Sequence, residues 1–179
     1  MQMKLGVKRV LGLLPIIGGG AGLTLLASTL ASQSPSPFTL AIMFCFACVY
    51  ALGIVAGLWM LEGHRHAVAL NLVFWALQVP QLYSPVASYL FWAPTNLGFW
   101  WNVTTSKVGL SYQVGSSFQF SMFSARMDFI LALNLFALGC SLYLYALYRR
   151  QYPAMSIVAE ESRLETETGR DPAETTDRD

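Results

Sequence analysis

Four stretches of the chain, residues 10–31, 38–61, 67–92 and 127–148, are almost continuously apolar. Each approaches or exceeds the ~20 residues that a helix needs to cross a ~30 Å hydrocarbon core. Lipid offers a backbone amide no partner, so runs of this length read as helices, which satisfy their own backbone. The pattern predicts an all-α membrane protein, a four-transmembrane-helix bundle with a small extracytoplasmic β-hairpin before the last helix. The hairpin is read from residues 93–124, where Val108, Leu110, Tyr112 and Val114 alternate with Gly109, Ser111 and Gln113, and Phe118, Phe120 and Met122 alternate with Gln119 and Ser121. Period two on both sides of Gly115-Ser116 is the mark of two strands and a short turn. A lone hairpin is marginal in water, so its apolar face is expected on the helix ends or at the lipid interface. Phe91, Trp92, Phe99, Trp100 and Trp101 fit an aromatic belt there. In this outer loop Phe99, Trp100, Trp101, Tyr112, Phe118 and Phe120 are the candidate interaction residues.

Composition sharpens the picture. Of the 179 residues, 55% are hydrophobic and only 12% charged, against roughly 25% charged in an ordinary soluble domain. Eight of the ten acids lie in the last twenty residues, and residues 159–179 are expected to form a disordered acidic cytoplasmic tail. No domain carries the clustered Lys and Arg of a nucleic-acid-binding surface. Lys4, Lys8 and Arg9 lie in the N-terminal segment 1–9, Arg65 follows the second run, and Arg149 and Arg150 follow the fourth. The opposite connections hold only Lys107 and Arg126. Positive residues stay on the cytoplasmic side, so both termini are expected there, in a multi-pass protein of the cell membrane, by preference a bacterial inner membrane. The basic start and first run also match a signal peptide, although residues 10–31 exceed the ~7–15-residue core of one. Asn102-Val103-Thr104 matches the glycosylation sequon, which matters only in a eukaryotic source.

Small residues recur every four positions. Gly53 and Gly57 sit on the second run, with Ala41 and Cys45 continuing the row, and Gly18 and Gly22 offer a matching surface on the first. Such stripes let helices approach closely where packing replaces the hydrophobic effect, here between the first two spans or with a second protomer. Polar side chains at membrane depth are the other candidates: Asn71, Gln78 and Gln81 on the third run, Asn134 and Ser141 on the fourth. They predict either helix-to-helix hydrogen bonds or a polar cavity that admits a small ligand. Pro80 and Pro85 must each cost the third helix a backbone bond and kink it.

Reactive chemistry is thin. Cys45-Phe46-Ala47-Cys48, with four spans and two inside termini, resembles in outline the bacterial quinone-reducing disulfide generators. That family implies an arginine soon after the first cysteine pair and a second pair in the next outer loop. Here the next arginine is Arg65, and residues 93–124 hold no cysteine. Asp128 is expected to sit at a helix start, where a carboxylate favours the dipole. His64 and His66 share one tight turn with Glu62 and Arg65, outside the spans where haem ligands would lie. No metal or cofactor is expected. The sequence thus predicts a non-enzymatic binding or accessory subunit, partnered by the bilayer and by another membrane protein or a second copy. A thiol or quinone oxidoreductase using Cys45 and Cys48, and an oligomeric transporter or channel, are the alternatives.

Overall fold

The computed structural model describes residues 4–32, 34–122 and 128–151. The chain divides into two units after Tyr145. Of the second unit, the described residues 146–151 are helical and carry Arg149 and Arg150.

Two long helices open the chain. Helix α1 (Leu5–Ser32) and helix α2 (Pro37–Glu62) have 28 and 26 residues, about 42 and 39 Å at 1.5 Å per residue. By length and composition both could cross a membrane. Helix α2 starts where Ser36 accepts the Thr39 amide at 3.2 Å with Pro37 as the first helical residue, the position a proline tolerates best. It stops at Gly63, whose φ of 84° closes the last turn in the left-handed region that glycine adopts without strain. The two helices meet backbone to backbone. A Cβ built on Gly19 would stand 2.6 Å from the Tyr50 carbonyl, and one on Gly57 would collide with the Gly12 carbonyl.

From there the structure departs from the all-α bundle. Helix α3 (Ala67–Ala76) lasts only ten residues, and the chain then forms strands β1 (Pro80–Tyr83), β2 (Ala87–Trp92), β3 (Thr95–Asn102), β4 (Lys107–Val114), β5 (Ser117–Met122) and β6 (Ile130–Asn134) before helix α4 (Leu135–Gln151). So residues 67–92 are not one transmembrane helix. Pro80 lacks an amide and its ring disfavours helix at the residue before it, Pro85 repeats the obstacle, and the aromatic residues Tyr83, Tyr89, Phe91 and Trp92 suit strands. Residues 127–148 are not one helix either, because Ile130–Asn134 is strand, and Asp128 precedes a strand, not a helix start. Ile130-Leu131-Ala132-Leu133 is apolar on both faces, and so short a run has no period to distinguish it from helix. Nor are residues 93–124 a loop with a lone hairpin; they hold three of the six strands. The acidic tail at 159–179 lies outside the described residues.

The sheet is antiparallel throughout, in the order β4-β3-β6-β1-β2-β5. The turn does fall at Gly115-Ser116, yet the strands it joins do not pair with each other: β4 pairs with β3, and β5 with β2, at opposite edges. Flat, those edges would lie about 24 Å apart. Two connecting residues reach about 11 Å at most. The sheet must therefore curl, bringing its edges together at that end like the staves of an incomplete barrel. Gln81 on β1 accordingly donates to Asn96 Oδ1 on β3 at 3.1 Å, across the intervening β6.

Paired residues share a face. The inner, concave face carries the buried polar residues Gln81, Ser88, Asn96 and Asn134 beside apolar Leu90, Trp92, Trp100, Ala132 and Ile130. The outer face carries Leu97, Phe99 and Trp101 on β3, Val108, Leu110, Tyr112 and Val114 on β4, Leu131 and Leu133 on β6, and Phe118, Phe120 and Met122 on β5. Helix α2 covers only part of it, where Phe46 stacks near Tyr89, Phe91 and Phe118 and Tyr50 meets Phe91 edge-on at 5.3 Å. The β4 stretch stays open, with Leu110 and Tyr112 each 69% exposed. This is the inverse of a soluble sheet, which turns polar side chains outward.

Candidate functional site

The buried polar residues mark the joints between helix and strand. Asn134 ends β6 and caps α4: its Oδ1 accepts the Ala137 amide at 3.2 Å and the Leu97 amide at 3.3 Å, while Nδ2 donates to the Thr95 carbonyl at 3.3 Å. Gln78 does the same where α3 ends, donating to the Phe74 carbonyl at 3.3 Å and accepting the Ala93 amide at 2.7 Å. Both side chains replace backbone partners lost when helix changes to strand. Asn71 ties α3 to α2, donating to the Ala56 carbonyl at 2.7 Å and to the Ala67 carbonyl at 3.1 Å.

The residues that sequence grouped as one polar site are thus dispersed. Asn71 lies between helices, Gln78 and Asn134 at two helix-strand joints, and Gln81 inside the curled sheet with Asn96. Ser141 sits on the buried stripe of α4 with Ala137 and Leu144. Four buried polar atoms have no hydrogen-bond partner among the described residues: Asn71 Oδ1, Trp75 Nε1, Ser141 Oγ and Tyr50 Oη.

The small-residue stripes meet three kinds of neighbour. Gly57 faces Gly12 and Ile16 of α1, and Gly22 lies against the Tyr50 ring. Gly53 takes the Phe74 ring of α3, and Gly18 takes the β2-β3 turn, where a Cβ would stand 2.7 Å from the Pro94 nitrogen. Ser116, at the β4-β5 turn, adds a hydrogen bond to the Gly18 carbonyl at 2.8 Å. Ala41 and Cys45 are exposed and line an apolar cleft of about 400 Å³ with Phe46, Tyr89 and Phe120. Cys48 is also exposed and free. His64 and His66 are solvent-facing, His64 against the Trp59 ring at 4.4 Å.

Two further apolar clefts open on the helices. One of about 440 Å³ lies between the later half of α1 and the start of α2, lined by Leu26, Leu30, Met43 and Phe44 among others. The larger, about 830 Å³, runs between the start of α1 and α4, reaching Leu97 on the sheet. The sequence reading missed this cleft. Its walls, Val7, Leu11, Phe136, Gly139 and Tyr143 among them, lie more than a hundred residues apart in the chain, and the one local signal was Gly139 within an apolar run.

The candidate outer-loop residues are strand residues. Phe99, Trp101, Tyr112 and Phe120 project from the outer face and are exposed, Phe118 is half covered by α2, and Trp100 points to the inner face against Gly109. Comparison with models of protein families, with curated proteins and with solved structures finds no match.

Proposed function

We propose that this chain is an integral membrane protein that acts as a non-enzymatic binding or accessory component, through its apolar helix faces and the outer face of its sheet. What carries this is the polarity of the sheet. Leu110, Tyr112 and Val114 turn outward while Gln81, Ser88 and Asn96 turn inward. In water, uncovered β4 would be an aggregation template. In lipid the outward apolar side chains would meet acyl chains while the polar ones stay enclosed, and the unpaired edges of β4 and β5 would call for a backbone partner, which an accessory component would have. Helices α1 and α2 would anchor the assembly as a spanning hairpin. Lys4, Lys8 and Arg9 at one end and Arg65 beyond the other put both ends of that hairpin in the cytoplasm, and Arg149 and Arg150 favour the same side for the C-terminus. The connection at residues 34–36 carries no charge and would lie outside.

Alkaline carbonate extraction tests the membrane reading: the full chain should stay in the pellet, and release into the supernatant ends it. A photo-crosslinking residue at position 110 in native membranes then tests the accessory role. A discrete protein adduct supports it, and adducts to lipid alone argue against a protein partner on this face.

A further inference from the structure

The cleft between α1 and α4 is lined almost wholly by carbon, and Lys4 stands at one end of it. Its ~830 Å³ falls within the ~300–1,000 Å³ of small-molecule sites. The cleft follows α1 from Lys4 to Leu11, about 10 Å of helix, and extends to Leu97 on the outer face of the sheet. Such a slot suits a chain better than a compact solute. Two glycines keep it open: a Cβ built on Gly6 or Gly139 meets nothing within 4 Å. Lys4, Lys8 and Arg9 together make this end of α1 cationic. A lysine stem can lie along apolar surface with its ammonium at headgroup level. One cation at the end of an apolar groove is complementary to an amphiphile with an anionic head and an alkyl tail.

We propose that this cleft holds one acyl chain of an anionic phospholipid, with the phosphate at Lys4. This rests on the membrane reading above and adds a site and a headgroup preference to it. The Lys4 ammonium donates to phosphate oxygens, and the chain runs past Val7, Leu11 and Phe136 toward Leu97.

Native mass spectrometry of the full-length protein in detergent tests it, with dioleoylphosphatidylglycerol and dioleoylphosphatidylcholine as probes. One phosphatidylglycerol per chain should be retained, about fivefold better than phosphatidylcholine, the increment expected of one basic residue near an anionic surface. Lys4→Gln should bring the two lipids level. Gly139→Leu should abolish retention of both without lowering thermal stability, since the new side chain enters open space; Gly6→Leu provides the same test from the other wall. Equal retention of both lipids by the unaltered protein, or no change in Lys4→Gln, overturns the headgroup assignment. Undiminished retention in both glycine variants overturns the cleft as the site. Carbonate extraction of the same variants separates the two levels: a protein that pellets but shows no lipid preference loses only this proposal, whereas one that washes out loses the membrane reading as well.

Discussion

In the α1-α2 hairpin, backbone approaches backbone at Gly12, Gly19 and Gly57, with no side-chain hydrogen bond needed to hold the pair. The curled sheet and its helical extensions are joined instead by polar side chains, Gln78, Gln81 and Asn134, each bonded to a group at least fifteen residues away. The contrast follows from where each element finds partners for its backbone. A helix bonds within itself, so two helices need only fit. A strand depends on its neighbours, so wherever chain passes from helix to strand some amide or carbonyl is stranded, and a side chain must take it up.

That contrast breaks most readily at Asn134. Asn134→Leu leaves the Leu97 and Ala137 amides and the Thr95 carbonyl without this partner. Each orphaned buried group costs ~1–3 kcal/mol, so a loss of about 3 kcal/mol or more is expected in denaturant unfolding in micelles. The sheet tryptophans Trp100 and Trp101 should report it before the helical circular dichroism falls. Simultaneous loss of both signals would mean that the two regions are one cooperative unit.

A smaller effect is expected in the hairpin. Gly57→Leu drives a side chain into the Gly12 carbonyl and Ile16, an overpacking that costs ~1–3 kcal/mol. Gly20→Ala, on the same pair of helices but facing open space, should instead raise stability by ~0.5–1 kcal/mol. Equal behaviour of the two variants would refute close approach as what holds the hairpin.

The smallest change belongs to Asn71→Leu. It removes the 2.7 Å bond to the Ala56 carbonyl but also removes an unpartnered buried oxygen. Membrane interhelical hydrogen bonds average ~0.6 kcal/mol, so about 1 kcal/mol or less should be lost. A variant of unaltered stability that no longer binds or moves a solute would restore the polar-cavity alternative.

Much of the hairpin was legible in advance. The runs at 10–31 and 38–61 agree with α1 and α2 to within a few residues at most ends, because helix formation there asks only for apolar side chains and small residues at a four-residue spacing. Strands β4 and β5 and the turn at Gly115-Ser116 were legible too, from alternation. Their partners were not. Val114 and Ser117 are joined as a hairpin would join them, yet Gly115 bonds the Pro94 carbonyl at 2.7 Å and Ser116 bonds Gly18, which hold the turn on the β2-β3 corner and on α1. Pro80 and Pro85, which the local pattern leaves as kinks in one helix, instead lie beyond its end at Ala76.

The amino-acid sequence by itself determined that most side chains are apolar, where the two long helices lie, and which positions alternate. Only the tertiary structure decided that the apolar runs 67–92 and 127–148 would change between helix and strand partway, that polar residues would line the inside of a curled sheet, and that α1 and α4 would leave a cleft ending at Lys4. Helix is written in bonds four residues apart, which a local pattern can predict. Strand order, curl and cleft are made by groups tens of residues apart, whose pairing no local pattern contains.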